Sequence, residues 1–258
     1  MESITIIKIG GNILDSKESL NSFMDLFARF EGKKILVHGG GKAATKQAEK
    51  LGVPVKMVDG RRITDEATID IVVQVFAGLL NKGLVAELQS RECNALGLTG
   101  ADLNMIPAWK REHPSIDFGF VGDFTPESIN ATLLKELVAL DVVPVFCALT
   151  HDGKGNLLNT NADTIASGLA IALSPFFSTS LYYCFEKEGV LSDSNNDATV
   201  IEKLDFDLYQ NLKENHIIHD GMIPKLDNAF QALQQGVNTI KIGHALNLLA
   251  FNGTQLYL

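Results

Sequence analysis

The chain is 258 residues long, 46% hydrophobic, and carries a formal net charge of −9. That length can bury a large core and suits one large α/β unit or two lobes rather than one small module. The acidic balance disfavours non-specific attraction to nucleic acid or an anionic membrane, while leaving room for a local basic pocket.

The N-terminus enters a strand-like run, Ile4-Thr5-Ile6-Ile7, with no charged region ahead of an apolar stretch, so no signal peptide is expected. No run approaches ~18 apolar residues without a charge, so no membrane span is expected either. Cys93, Cys147 and Cys184 lie far apart and lack CxxC or CxxH spacing. They read as reduced core thiols in a reducing, cytoplasmic compartment.

Short β-branched runs alternate with helical patterns, which predicts βαβ units around a mostly parallel sheet. Strands are expected at 4–9, 34–38, 95–99, 142–146, 180–185 and 239–242. Leu20, Phe23, Met24 and Phe27 recur at helical spacing. Residues 65–88 are apolar on more than one face, through Ile69, Val72, Phe76 and Leu80 among others. Such a helix is either sandwiched in the core or packed against a second subunit. Segments 53–64, with the Asp59-Gly60 turn, and 105–122, around His113-Pro114-Ser115, read as hairpins. Hairpins projecting from the strand ends of an open sheet are where a substrate wall would sit. A soft boundary falls near Ser174-Pro175.

Five clusters carry chemistry. In Ile6-Ile7-Lys8-Ile9-Gly10-Gly11, a lysine inside an apolar strand needs a partner or a cleft, and two glycines let backbone amides approach an anion. Taken alone it fits a phosphate clamp or an edge-strand lysine before an ordinary turn. His38-Gly39-Gly40-Gly41-Lys42 matches neither the Walker A spacing nor GxGxxG, yet three glycines ahead of a helix make an anion nest. His38 reads as strand-end packing rather than as a base. Arg61-Arg62-Ile63-Thr64 ends a hairpin arm; a guanidinium there can pair with a substrate carboxylate, or the segment is a solvated basic loop. Asn159-Thr160-Asn161-Ala162-Asp163 opens a helix: Asn161 reads as an N-cap, which leaves Asn159 and Asp163 to be explained. Finally, Pro224 suits the first turn of a helix, and Lys225 beside it opposes the helix dipole unless an anion binds between them.

The ordered set IIKIGGN, VHGGGK, DGRRIT, GFVGD, NTNADT and DGMIPK resembles the amino-acid kinase family, and within it the acetylglutamate kinases of arginine biosynthesis. The likeness runs from Lys8 to the final strand. It implies an αβα fold, a mostly parallel open sheet between helices, in two lobes at 1–175 and 176–258. The first lobe would bind the acylglutamate and the second ATP. It further implies that Lys8 and Lys225 stabilise the transferring phosphoryl group and that Asp163 holds both lysines. Gly10, Gly11 and Gly40 would donate amides to phosphate or to the attacking carboxylate. Gly40, Gly41, Arg62 and Asn159 would bind the acylglutamate, and Glu186, Gly189, Leu191 and His219 would contact ATP. Mg²⁺ is expected on the ATP phosphates.

One stretch departs from the family. Cys184-Phe185-Glu186-Lys187-Glu188-Gly189 stands where these kinases usually carry Ser/Thr-Asp-Val-x-Gly. The change keeps N-succinylglutamate open as the alternative substrate, with Arg61 or Lys187 as partners for its extra carboxylate. A non-catalytic ligand-binding relative is the second alternative. The first strand begins near residue 4, without the N-terminal helix of arginine-inhibited relatives, so a homodimer without arginine feedback is expected. Helix 65–88 is its candidate interface.

Overall fold

The structure, a computed structural model, describes residues 1–58, 60–193, 196–218, 221–250 and 252–258. The strands are β1 (Ser3–Ile9), β2 (Lys33–His38), β3 (Met57–Val58), β4 (Arg61–Arg62), β5 (Ala95–Leu98), β6 (Trp109–Lys110), β7 (Gly122–Asp123), β8 (Val143–Cys147), β9 (Leu149–His151), β10 (Leu157–Asn159), β11 (Ser178–Phe185), β12 (Lys203–Leu204), β13 (Thr239–His244) and β14 (Thr254–Leu256). The helices are α1 (Gly11–Asp15), α2 (Lys17–Arg29), α3 (Gly41–Lys50), α4 (Glu66–Val73), α5 (Asn81–Gln89), α6 (Ala131–Ala139), α7 (Ala162–Leu173), α8 (Phe206–Glu214) and α9 (Ile223–Gln234).

The central sheet runs β12-β14-β13-β11-β1-β2-β8-β5. Every neighbouring pair is parallel except β13 with β14. A sheet with helices on both faces buries its central strands on both sides, which is why Ile35-Leu36-Val37 in β2 and Val143-Pro144-Val145-Phe146 in β8 are continuous apolar runs. Along β1, Ile4 and Ile6 join one core with α7 and α9, while Ile7 and Ile9 join the other with α2 and α5. The expected strands are all present. The sheet is continuous across the boundary expected near residue 175, because β11 pairs directly with β1.

From β1 the chain passes through β2 to the edge strand β5, comes back to insert β8 between β2 and β5, and then lays β11 on the other side of β1. Strand β1 is therefore the place where the strand order reverses, and open α/β sheets bind ligands at the carboxyl ends of strands flanking that point. Lys8 sits one residue from the end of β1, between Val37 of β2 and Tyr183 of β11.

Both expected hairpins form, β3 with β4 and β6 with β7; Asp59, in the first turn, lies outside the described residues. The apolar helix is continuous from Glu66 to Gln89, but its middle, Gln74–Leu80, is π-helical. Periodicity does not reveal such a segment. At 24 residues the helix is also long and apolar enough to cross a bilayer, which a search for uncharged runs overlooks. Its apolar residues are used inside this fold: Ile69, Val72, Val75 and Phe76 enter the core on one face of the sheet, Leu84 and Leu88 that on the other. Leu79 points outward and is 69% exposed.

Candidate active site

Lys8, from β1, and Lys225, from the first turn of α9, converge on Asp163 in the first turn of α7. Lys8 Nζ lies 2.7 Å from Asp163 Oδ1, and Lys225 Nζ lies 2.9 Å from each carboxylate oxygen. The cluster is nearly dry, with all three side chains less than a fifth exposed. Burial raises the Asp163 carboxyl, but Lys225 and Lys8 outweigh it and hold the group well below the usual carboxylate range. Burial pushes the Lys225 ammonium down to about 8, although Asp163 pulls the other way. The Lys225 ammonium also stands 4.6 Å from the centre of the Tyr183 ring, a further contact that favours its charge. Two cations on one anion leave a net positive charge, which suits a site built to receive a polyanion.

Local sequence explains the placement. Asn161 caps α7, accepting from the amides of Asp163 and Thr164, and so fixes the turn that carries Asp163. Helices α2, α4, α6, α7 and α8 all start with a Ser, Asp or Asn side-chain cap. Helices α1, α3 and α9, which open after the two glycine loops and beside Lys225, have none. Their first-turn amides remain available to an anion.

Beside the triad opens a cavity of 870 Å³, lined among others by Arg61, Arg62, Arg111, Asn159 and Asp163 on one side and by Pro224, Asp227 and Asn228 on the other. The hairpins form its wall through backbone bonds. Thr64 N–H donates to Phe118 O, Phe120 N–H to Thr64 O, and Asn159 N–H to Phe120 O. The join needs Gly119, whose φ is +70° and where a Cβ would fall 2.3 Å from the Thr64 oxygen. Asn159 Nδ2 donates to Thr64 Oγ1 at 3.1 Å. Arg62 Nη2 donates to Gly41 O and Thr45 Oγ1, while its Nη1 is buried with no hydrogen-bond partner among the described residues. Burial lowers the guanidinium pKa, and an unpaired buried cation nitrogen at a cavity wall is poised for an anion.

The structure thus gathers Lys8, Asp163, Lys225, Arg62, Asn159 and Gly41. The Gly10 amide is committed to the sheet, donating to Cys184 O at 3.0 Å, so of the first glycine pair only Gly11 remains free to meet phosphate. Glu186 is exposed beyond β11, outside the cavity wall. Gly189 has a packing reason: a Cβ there would lie 2.7 Å from Thr254 Oγ1 and 2.8 Å from Val200 Cγ1. Leu191 forms a bridge with Val200. His219 lies outside the described residues. Lys187, considered for an extra carboxylate, is paired with Asp197 at 2.7 Å. Sequence reasoning missed Arg111, which pairs with Asp123 through Nε at 2.9 Å and through Nη2. The signal was the basic pair Lys110-Arg111 on a hairpin arm opposite the Asp of GFVGD, visible only once the register is known. It also missed Asp227 and Asn228, two and three residues beyond Lys225 on α9. The cysteines are free and buried, and burial pushes the thiols of Cys147 and Cys184 up to about 12.

A mostly parallel αβα sheet with two lysines and helix starts converging at its switch point defines an enzyme of anionic group transfer. The description "Amino acid kinase family" matches residues 3–244, and the chain belongs to that family. It is 50% identical over 255 residues to a protein of Bacteroides fragilis named acetylglutamate kinase, covering 99% of this chain and 97% of that one. A protein of the same name from Parabacteroides distasonis is 48% identical over 257 residues, with complete coverage of both chains. Among solved structures, smu.665 from Streptococcus mutans UA159 superposes with a TM-score of 0.82 at 29% identity, covering 98% of each chain.

Proposed function

We propose that this enzyme transfers the γ-phosphoryl group of ATP to the side-chain carboxylate of N-acetyl-L-glutamate. The observation that carries the reading is the Lys8–Asp163–Lys225 cluster beside the unpaired Nη1 of Arg62: one feature suits a transferring phosphoryl group, the other a substrate carboxylate. Full-length identity near 50% to proteins named acetylglutamate kinase supports the choice of acceptor. In this reading residues 1–175 hold the acylglutamate, through Arg62, Asn159, Gly40 and Gly41. Residues 176–258 hold ATP, with Glu186, Gly189, Leu191 and His219 on the nucleotide side.

A carboxylate is already ionised at pH 7, so its attack on the γ-phosphorus needs no general base. The new O–P bond forms as the bond to the ADP oxygen breaks, and no proton is transferred. Catalysis is then positioning plus charge stabilisation. Lys8 and Lys225 face the developing charge; Asp163 keeps them together until the phosphates arrive. His38, wholly buried and bonded at both ring nitrogens, is not placed to act as a base.

Among the described residues no group of three acidic, His or Cys side chains comes together, and both oxygens of Asp163 are taken by ammonium groups. The donor set fits a Mg²⁺ carried on the ATP phosphates, where it would neutralise charge on the transferring group, rather than one held in a side-chain cage. The outward face of helix 66–89, with Leu79 at its centre, is the proposed homodimer contact, and the buried thiols suit a cytoplasmic setting.

The test is Mg²⁺-dependent ADP release against N-acetylglutamate, N-succinylglutamate, glutamate, aspartate and UMP, with Lys8→Ala as control. Turnover concentrated on N-acetylglutamate and lost in the control is expected. Preference for another acceptor would overturn the reading.

A further inference from the structure

His38 ends β2 with no exposed surface, one residue ahead of the glycine loop. Its Nδ1 lies 2.8 Å from the Gly39 carbonyl and its Nε2 3.1 Å from Asn81 Nδ2. The same Asn81 nitrogen lies 2.9 Å from the carbonyl of Val145, which can only accept. Asn81 must therefore turn its NH₂ group toward both neighbours, so Nε2 of the imidazole accepts and the ring proton sits on Nδ1. That proton is donated to Gly39 O. Burial favours the neutral ring, with a pKa pushed down to about 4.

The Gly39 carbonyl and the Gly40 N–H belong to one planar trans peptide and point in opposite directions. Drawing the carbonyl toward the buried ring turns the Gly40 amide away from the core. Asn81 is itself fixed: it is 1% exposed, and a Cβ on Gly97 would lie 2.0 Å from its Oδ1. It follows directly on the π-helical segment, whose Phe76 and Leu80 side chains close over Gly40. A Cβ on Gly40 would fall 2.6 Å from Leu80 Cδ1 and 2.7 Å from Phe76 Cδ1. Helix and loop are thus mated by a hydrogen-bonded chain and by a steric seat. Single π-helical turns recur near functional sites, and here the turn meets the loop.

We propose that His38 is a positioning residue for the acyl substrate, setting the direction of the Gly40 amide through the Gly39 carbonyl, with Asn81 of the long helix fixing its tautomer. The proposal rests on the reading that Gly40 and Gly41 meet the acylglutamate. Burial alone requires a partner at each ring nitrogen; what singles out this histidine is that the Nδ1 bond ends on the carbonyl of the glycine loop itself.

Two substitutions separate the two bonds. In His38→Asn the side-chain amide nitrogen falls near the position of Nδ1 and keeps the bond to Gly39. In His38→Gln the longer side chain brings its Oε1 near Nε2, where it accepts from Asn81 Nδ2, and the bond to Gly39 is lost. His38→Gln is expected to raise KM for N-acetylglutamate at least 10-fold, with KM for ATP within twofold, and to shift the Gly40 and Gly41 amide resonances. His38→Asn is expected to stay within threefold of the unsubstituted enzyme and to keep those resonances. Equal behaviour of the two variants, or a parallel rise in KM for ATP, overturns the proposal. Should His38→Gln not fold, Asn81→Ser, too short to reach Nε2, carries the same test: a KM rise confined to the acyl substrate supports it, and no rise overturns it. If the unsubstituted enzyme does not turn over N-acetylglutamate, the proposed function fails, and the glycine resonances in the two His38 variants decide this proposal alone.

Discussion

Lys225 grips Asp163 by both carboxylate oxygens, at 2.9 Å each, although the two residues are 62 positions apart and belong to different helices. With Lys8 on the same group, the cluster carries one surplus positive charge in a nearly dry setting. Such a charge is costly unless an anion arrives, so part of the fold's stability at this point is tied to ligand binding.

Asp163→Asn removes the charge that, among the described residues, alone pairs with two buried ammonium groups. A loss of about 3 kcal/mol in unfolding free energy is expected, because breaking a buried pair strands its partner. kcat should fall on the order of 100-fold, the scale of one lost electrostatic contact in a transition state. Added inorganic phosphate should recover part of the urea midpoint in the variant, since it supplies the missing negative charge. An unchanged midpoint would refute the view of the three residues as a charge-balanced unit.

Arg62→Lys keeps the charge and loses the fork. With Nη1 free and Nη2 already held by Gly41 and Thr45, the expected effect is a rise of about 10- to 100-fold in KM for N-acetylglutamate, the worth of one or two charge-assisted hydrogen bonds. KM for ATP should not move. A rise confined to ATP would place Arg62 on the nucleotide side.

Lys34→Met separates stability from activity. Lys34 Nζ donates to the carbonyls of Phe27, Ala28 and Phe30 at 2.7, 3.1 and 2.7 Å, closing the C-terminal end of α2. Removing it takes a charged donor from all three carbonyls, although Phe27 O keeps the Phe30 amide, and costs about 2 kcal/mol of unfolding free energy, read as a lower denaturant midpoint. Helix α2 packs in the core on the face of β1 carrying Ile7 and Ile9, opposite the α7 and α9 side, so kcat should be unchanged. A loss of kcat would show that α2 supports the site.

What the sequence disclosed, and what it hid, follows from the range of the interactions. Strands β1, β2, β8 and β11 were legible because burial on both faces writes itself as a continuous apolar run. Lys8, Asp163 and Lys225 were legible because each sits where its residue type is locally unfavourable or unneeded. The antiparallel pair β9 and β10, three residues each, was too short for any period to register. The π-helical segment was hidden because the contacts it makes are tertiary: Asn81 beyond its end faces His38, and Phe76 with Leu80 seats Gly40. The commitment of the Gly10 amide to Cys184 was hidden too, since a glycine after a strand looks the same whether its N–H is free or paired.

Leu79→Arg tests the outward face of the long helix. If that face joins two copies of this 28.0 kDa chain, sedimentation of the unsubstituted protein gives twice that mass and the variant sediments as a monomer. An arginine buried without a partner in such a contact outweighs its neighbouring apolar gains. A monomer in both cases removes the interface.

The pH dependence should turn on Lys225. Its buried ammonium titrates near 8 in the free enzyme, below the ordinary 10.5. As pH rises through about 8, the neutral amine no longer draws the ATP phosphates, so kcat/KM for ATP should fall, since that parameter reports the free enzyme. The fall in kcat should lie at higher pH, because bound polyanion favours the ammonium form. Folding stability has the opposite sign. Between about 8 and 10.5 the unfolded chain holds a proton that the folded chain has released, so the contribution of this residue to unfolding free energy rises with pH across that window. Lys225→Arg, always protonated, should flatten both effects. A kcat/KM for ATP that stays level from pH 7 to 10 in the unsubstituted enzyme would mean that the charge on Lys225 is not what receives the phosphates, and the role would pass to Lys8 and the uncapped helix starts.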